Sequence, residues 1–334
     1  MTALSVPAVR PRTSRVASHV LGEAGIGVAL VVLAAFFLTF APYFGTAQNV
    51  RDIMTQITLN TILAVGMTFV ILVGGIDLSV GSGIALCAVV AGTVLTSGAT
   101  GGTGLLLAIG VSILIGAAVG LINGFVTEFW RVPSFIVTLG MLYVARGAAQ
   151  EFTGAATIYN LPPALTRFGT ATVAGLPAVF IVALAMVAVA WFVLSRTVFG
   201  RMVYATGNNE EAVRLSGHRT ATIKVACFTI GGATVGIAAI IYMARLGVAS
   251  PILGQGYELN AIAAVVIGGA SLTGGRGSVI GTLLGACLLG VLSNGLLLMG
   301  VSDFQRTMIT GGVIIVAVIL DAYRRRLSLR LSAS

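Results

Sequence analysis

Ionisable side chains are scarce in this 334-residue sequence, so the few that stand among apolar residues are the first places to look for chemistry. Asp77 lies in Gly74-Gly75-Ile76-Asp77-Leu78-Ser79-Val80-Gly81-Ser82, which interrupts two apolar runs. An aspartate in hydrocarbon costs at least about 3 kcal/mol on insertion scales, so Asp77 has to face water, a partner or a cavity. Two readings fit. One is a cytoplasmic turn in which Asp77 or Ser79 caps the next helix. The other is a broken helix lining a solute path, where irregular backbone at depth is tolerated.

A second stretch, Gly207-Asn208-Asn209-Glu210-Glu211-Ala212-Val213-Arg214-Leu215-Ser216-Gly217, reads as a short surface helix. Asn208 or Asn209 suits the N-cap, and Glu210 and Glu211 then meet the positive helix end. Arg214 is spaced to pair with Glu210, and Gly217 stops the helix. Ala212, Val213 and Leu215 give it an apolar side with no core of its own. That side packs either on this chain's own span ends or in a groove on another protein.

The Gly-rich run from Gly268 to Ser278 looks like a phosphate loop, but no Lys-Ser or Lys-Thr follows it, and the single lysine is Lys224. The chain has no G-x-x-x-x-G-K-[ST], so the run is read as a tight inner hairpin. The amides Gln56, Asn60, Asn123, Asn260 and Asn294 sit in or beside apolar runs. They either bond to neighbouring helices or line a polar path. Cys87, Cys227, Cys287, His19 and His218 form no disulfide or metal pattern, and no cofactor is expected.

The elements that must position these residues follow from composition. Hydrophobic types make up 57% of the chain and charged types 9%, against about 25% charged in soluble domains. A soluble enzyme and a disordered chain are both excluded. A bilayer core needs roughly 20 apolar residues per helix. Candidate spans are 23–44, 53–74, 80–97, 104–126, 134–150, 177–195, 221–244, 259–273, 277–299 and 306–321. Two of these, 134–150 and 259–273, are short enough to be partial or broken. The first is too long for a cleaved signal and lacks an A-x-A site.

The predicted fold is thus an all-α polytopic membrane protein with about ten transmembrane helices and both termini cytoplasmic. That orientation places fourteen basic residues inside and five outside. The net charge of +9 accordingly reads as topology, with no nucleic acid partner. The domain organisation is a cytoplasmic tail over 1–20, a permease domain over 21–321 and a cytoplasmic tail over 322–334. Residues 196–220 form the main cytoplasmic loop and 151–176 the main outer loop. Ser112, Gly116, Gly120 and Gly124 recur every four residues, as do Gly232 and Gly236, and Gly281 and Gly285. Such faces let backbones approach closely, within one subunit or across a dimer.

The stretches GGIDLSVGS (74–82), VPSFIVTLGMLYVARG (132–147), FGRMVYATGNNEEAVRLSG (199–217) and GGASLTGGRGSVIGT (268–282) together resemble the permease subunits of bacterial ABC importers for monosaccharides, the ribose/xylose/galactose type. The similarity runs from about residue 50 to 321. It implies a multi-pass permease of the inner (plasma) membrane, paired with a second copy or a related permease. It further implies separate cytoplasmic ATPase subunits and a periplasmic or lipid-anchored sugar-binding protein. By that match Gly207, Asn208, Asn209, Glu210, Glu211, Ala212, Arg214, Leu215, Ser216 and Gly217 belong to the segment that couples to the ATPase. Asp77, with Asn60, Ser79 and Asn123, is expected beside the translocation path. From topology, Arg51, Arg167, Arg245 and Glu258 are expected to face the binding protein. No catalytic residue is expected, since ATP would be hydrolysed elsewhere.

Two other functions remain open at this stage. A related ABC permease for a branched-chain amino acid or a sugar-like signal would share the fold. An ion-coupled secondary transporter would show more intramembrane carboxylates than Asp77 alone, and would leave the coupling segment unexplained.

Overall fold

The computed structural model describes the backbone of residues 12–97, 101–316 and 319, and the side chains of 24–97, 102–316 and 319. The tail expected over 322–334, and residues 1–11 of the tail over 1–20, lie outside that set. The chain forms α1 (Arg12–Phe40), α2 (Ala47–Leu72), α3 (Val80–Thr96), α4 (Gly101–Trp130), α5 (Ser134–Thr153), α6 (Pro163–Thr170) and α7 (Ala178–Arg196). It continues through α8 (Val198–Asn208), α9 (Glu210–Leu215), α10 (Thr220–Leu246), α11 (Tyr257–Ile267) and α12 (Val279–Leu298), and a further helix, α13, covers 303–316. A small hairpin, β1 (Thr172–Val173) with β2 (Leu176–Pro177), precedes α7.

Each apolar segment picked out from the sequence carries a helix, though α11 fills only the first part of 259–273. Among the described residues five helices are long and apolar enough to cross a membrane: α2, α4, α7, α10 and α12. Large apolar side chains such as Leu106, Leu114, Val189 and Phe192 point outward. Lipid suits such a surface, because every helix satisfies its own backbone. The stretches expected as loops are partly ordered. Residues 151–176 contain α6 and the start of the hairpin, and 196–220 contain both α8 and α9.

α2 is the centre of the molecule, buried on almost every face from Ile57 to Leu72. A helix apolar all round belongs in such a place. The tightest seam joins α4 to α10. A Cβ on Gly116 would run into the Gly232 carbonyl, and one on Gly120 into the Phe228 carbonyl. Ser112 Oγ donates to the Gly236 carbonyl at 2.7 Å, closing the seam at its other end. The four-residue spacing of small residues therefore serves packing within the subunit. Gly281 and Gly285 do the same for α12 against Gly268 and Ala264 at the end of α11.

Residues 247–256 do not cross the surface as a loop. Ala249 lies against Gly92 near the end of α3, and Gly254 lies against Gly81 and Ile84 near its start. The chain thus re-enters the molecule beside α3, and α11 begins partway through. This is why α11 has only 11 residues.

Candidate functional site

The break between α2 and α3 is the first place where polar side chains gather. Gly74 adopts φ +78°, and the amides of Gly74 and Gly75 bond back to the carbonyls of Ile71 and Val70 at 2.9 Å each. A left-handed glycine ends a helix in this way because it has no Cβ to clash. Asp77 Oδ1 accepts from the Ser79 amide at 2.8 Å and from Ser79 Oγ at 2.6 Å. Asn123 Nδ2 on α4 donates to Ser79 Oγ at 2.9 Å. From α5, Ser134 Oγ accepts from the Ile76 amide and Thr138 Oγ1 donates to the Ile76 carbonyl. Neighbouring helices therefore satisfy the free backbone of this turn, which is what permits an irregular segment inside the protein.

Three of the four path candidates, Asp77, Ser79 and Asn123, are brought together and fully buried. Asn60 is not with them. It lies twelve residues before the end of α2, about 18 Å away along the axis. Ser79 occupies the position before α3 without a side-chain cap bond, while Asp77 accepts the free Ser79 amide at the mouth of that helix. Asp77 thus holds the turn together.

The segment from 197 to 217 is the second site. Thr197 caps α8 by accepting from the Gly200 amide at 3.1 Å. At the other end of α8, a Cβ on Gly207 would strike the Leu72 carbonyl and the Gly275 amide. Asn208 Nδ2 donates to the Gly275 carbonyl at 3.0 Å, and Tyr204 donates its hydroxyl to the Gly277 carbonyl at 2.9 Å. Gly275 itself donates its amide to the Leu72 carbonyl at 2.8 Å. Hence Gly207 and Asn208 do not sit on the short surface helix. They end α8 and anchor it to the α2 terminus and to the Gly-rich run over 268–278.

Asn209 is the N-cap of α9, its Oδ1 accepting from the Ala212 amide at 3.0 Å. Gly217, at φ +84°, ends it. The expected Glu210–Arg214 pair is absent. Arg214 pairs with Glu211 at 2.7 Å, one turn back, and Glu210 turns inward to Lys224 on α10 at 2.6 Å. The hydrogen bond from Arg214 holds the Glu211 carboxyl below the usual carboxylate range. Val213 alone of the apolar side enters this protein, while Leu215 remains 78% exposed. α9 is thus a short, anchored knob with a free apolar tip.

Beside α9 opens a cleft of about 810 Å³ between the α4–α5 turn and the start of α10. Glu128, Arg131, Glu210, Glu211, Arg214 and Lys224 line it. Glu128 was not singled out by sequence reasoning. An acidic residue at the last turn of an otherwise apolar helix, where the dipole disfavours it, is the signal that marks it.

The residues expected to face a binding protein lie on four elements, α2, α6, α10 and α11. Arg51 lies near the start of α2, its Nε donating to the Ala47 carbonyl, and Arg167 is exposed on α6. Arg245 is partly buried at the end of α10. Glu258, on α11, lies further in and is half-buried. Its carboxylate lies against Gly81, while Gly83, two residues on, lies against Val235. Val235 is about 22 Å along α10 from its first residue, so Glu258 lies well away from the α9 end. Arg146 also lies within a helix, α5, and donates to the carbonyls of Pro251 and Leu253 at 2.7 and 2.9 Å, pinning the re-entrant segment.

The break between α2 and α3, the re-entrant segment before α11 and the anchored α9 all fall within the stretch that matches a known family. The sequence model of the branched-chain amino acid transport system / permease component family matches residues 49–318. The chain belongs to that family. It is 41% identical to the ribose import permease RbsC of Escherichia coli K12 over 299 residues, covering 88% of this chain and 92% of the relative. It is 39% identical to RbsC of Bacillus subtilis over 305 residues, covering 90% and 93%. The D-allose permease AlsC of E. coli K12 is 34% identical over 293 residues, covering 87% and 89%. No solved structure matches. This permease is therefore a subunit of an ABC importer, a transport component and not an enzyme, and a multi-pass protein of the inner membrane.

Proposed function

We propose that this permease forms the translocation path for a monosaccharide and is driven by separate cytoplasmic ATPase subunits through α9. One observation carries the mechanism: Leu215 stands free at the tip of a capped helix whose flanks are fastened to the membrane helices. A helix of six residues persists only with such support, and its exposed side suits a groove on a partner. The sugar cargo is supported by the ribose and allose permeases to which the chain is similar.

In this reading about ten helices span the membrane, the α9 end is cytoplasmic, and both termini lie on that side. The permease domain covers 21–321, between tails over 1–20 and 322–334. Movement of α9 passes along Gly207, Asn208 and the Gly-rich run to the end of α2. The turn held by Asp77, Ser79 and Asn123 borders the path, with Asn60 further along it. Arg51, Arg167 and Arg245 face a periplasmic or lipid-anchored sugar-binding protein, and a second permease completes the path.

The test is reconstitution of the permease with its ATPase and binding protein in vesicles. ATP-dependent uptake of labelled ribose or a related sugar is expected, and none from the permease alone. Uptake indifferent to nucleotide overturns the reading. Uptake of isoleucine in place of any sugar leaves the mechanism and replaces the cargo.

A further inference from the structure

Lys224 is the single lysine of the chain and stands near the start of α10. Its ammonium lies 3.1 Å from Glu128 Oε1 near the end of α4 and 2.6 Å from Glu210 Oε2 at the first residue of α9. A cation near a helix N-terminus and an anion near a C-terminus are each disfavoured by the helix dipole. Lys224 and Glu128 are both on the wrong ends for their own helices, so local helix formation does not explain them. Their pairing does. The Lys224 and Glu128 side chains are only 19% and 14% exposed, so removing one partner strands the other's charge partly out of water.

The clasp lies at the end of the α4–α10 seam, where Gly120 and Gly124 press on the backbone of Phe228 and Val225. Backbone in contact with backbone cannot slide without collision, so α4 and α10 move as one body. α9 has a second attachment, through α8 to α2 and the 268–278 run. Among the described residues, Glu210–Lys224 is the ion pair that links α9 itself to a membrane helix.

We propose that Lys224, held between Glu128 and Glu210, is the positioning residue through which displacement of α9 reaches the α4–α10 body. The proposal rests on α9 being the ATPase-docking helix. Without the clasp, an ATPase that still grips α9 moves α2 and the Gly-rich run but leaves α4 and α10 behind. ATP is then hydrolysed with less transport per turnover.

The experiment uses the complete transporter in vesicles and reads sugar moved per ATP hydrolysed. In Lys224→Gln the α9 cap and its attachment through Asn208 remain, so the variant is expected to keep ATPase co-purification and basal hydrolysis while that ratio falls about fivefold or more. Lys224→Arg is expected to restore it, since a guanidinium also bridges two carboxylates. Glu128→Gln leaves both the Glu210–Lys224 pair and the backbone seam of α4 and α10 in place, and is expected to keep the ratio near wild type. A wild-type ratio in Lys224→Gln overturns the proposal, as does a ratio that falls as far in Glu128→Gln. Loss of ATPase association in Lys224→Gln makes Lys224 a docking support only and also overturns it. If the wild-type permease binds no ATPase, the docking reading itself fails, a result visible before any variant is made.

Discussion

Asn49 and Asn294 exchange two amide hydrogen bonds across 245 residues of sequence: Asn49 Nδ2 donates to Asn294 Oδ1 at 3.0 Å, and Asn294 Nδ2 returns a bond to Asn49 Oδ1 at 2.9 Å. Both are buried, and Asn49 also donates to the Phe44 carbonyl. The pair fastens the first turn of α2 to α12. Asn294→Leu leaves the Asn49 amide partly unpaired in an apolar setting, a loss of about 1–3 kcal/mol. Thermal unfolding in detergent should show a lower midpoint for Asn294→Leu, with most of the loss recovered in the Asn49→Leu/Asn294→Leu double variant. Additive losses would show that the two amides act separately.

The α4–α10 seam has no room for a side chain at Gly232, where a Cβ would collide with the Gly116 carbonyl. Gly232→Val should cost about 1–3 kcal/mol by overpacking. Gly140, on α5, has open space around it, so Gly140→Ala should be neutral on the same scale. Comparing yield and detergent melting of the two variants checks this, and equal behaviour would contradict the seam.

Asp77 is a turn-holder by geometry, so the test is whether an acceptor suffices. Asp77→Asn keeps an oxygen for the Ser79 amide and hydroxyl, and should keep most transport. Asp77→Leu leaves both donors unpaired at a cost of about 1–3 kcal/mol, and should lose transport with a lower melting midpoint. Loss of transport in Asp77→Asn at unchanged stability would require the negative charge itself.

On α9, Glu211 and Leu215 face solvent while Val213 packs inward. Glu211→Lys and Leu215→Asp should leave the permease folded and in the membrane but reduce ATPase co-purification about tenfold or more, as for the loss of one anchoring side chain. The Arg214 hydrogen bond lowers the Glu211 pKa, so the pair persists above the ordinary carboxylate range and is lost only as pH falls through that lowered value. ATPase association measured by pull-down at neutral pH is therefore read with the pair intact. Undiminished association in both variants would remove α9 from the interface.

Much of this protein could be read from residue order. Runs of apolar residues with 9% charge have no place but lipid, and each such run became a helix. The small-residue spacing in α4 and α10 marked two faces built for close approach. Asn209, the two glutamates and Gly217 wrote the limits of α9, because caps and dipoles act within one or two turns. The resemblance to sugar-import permeases carried the expectation of a separate ATPase, and the missing P-loop agrees with it. What residue order left undecided was who meets whom. Glu210 was expected to pair with Arg214, and meets Lys224 instead because α10 begins beside it. Glu258 follows a long helix and so reads as a surface charge, yet the chain turns back inward and sets it, half-buried, against Gly81. Asn49 and Asn294 carry no local sign of each other. Local rules settle which groups need satisfying, since they depend on the nearest few residues. The partner is set by how the whole chain closes on itself, and that is a property of the tertiary structure.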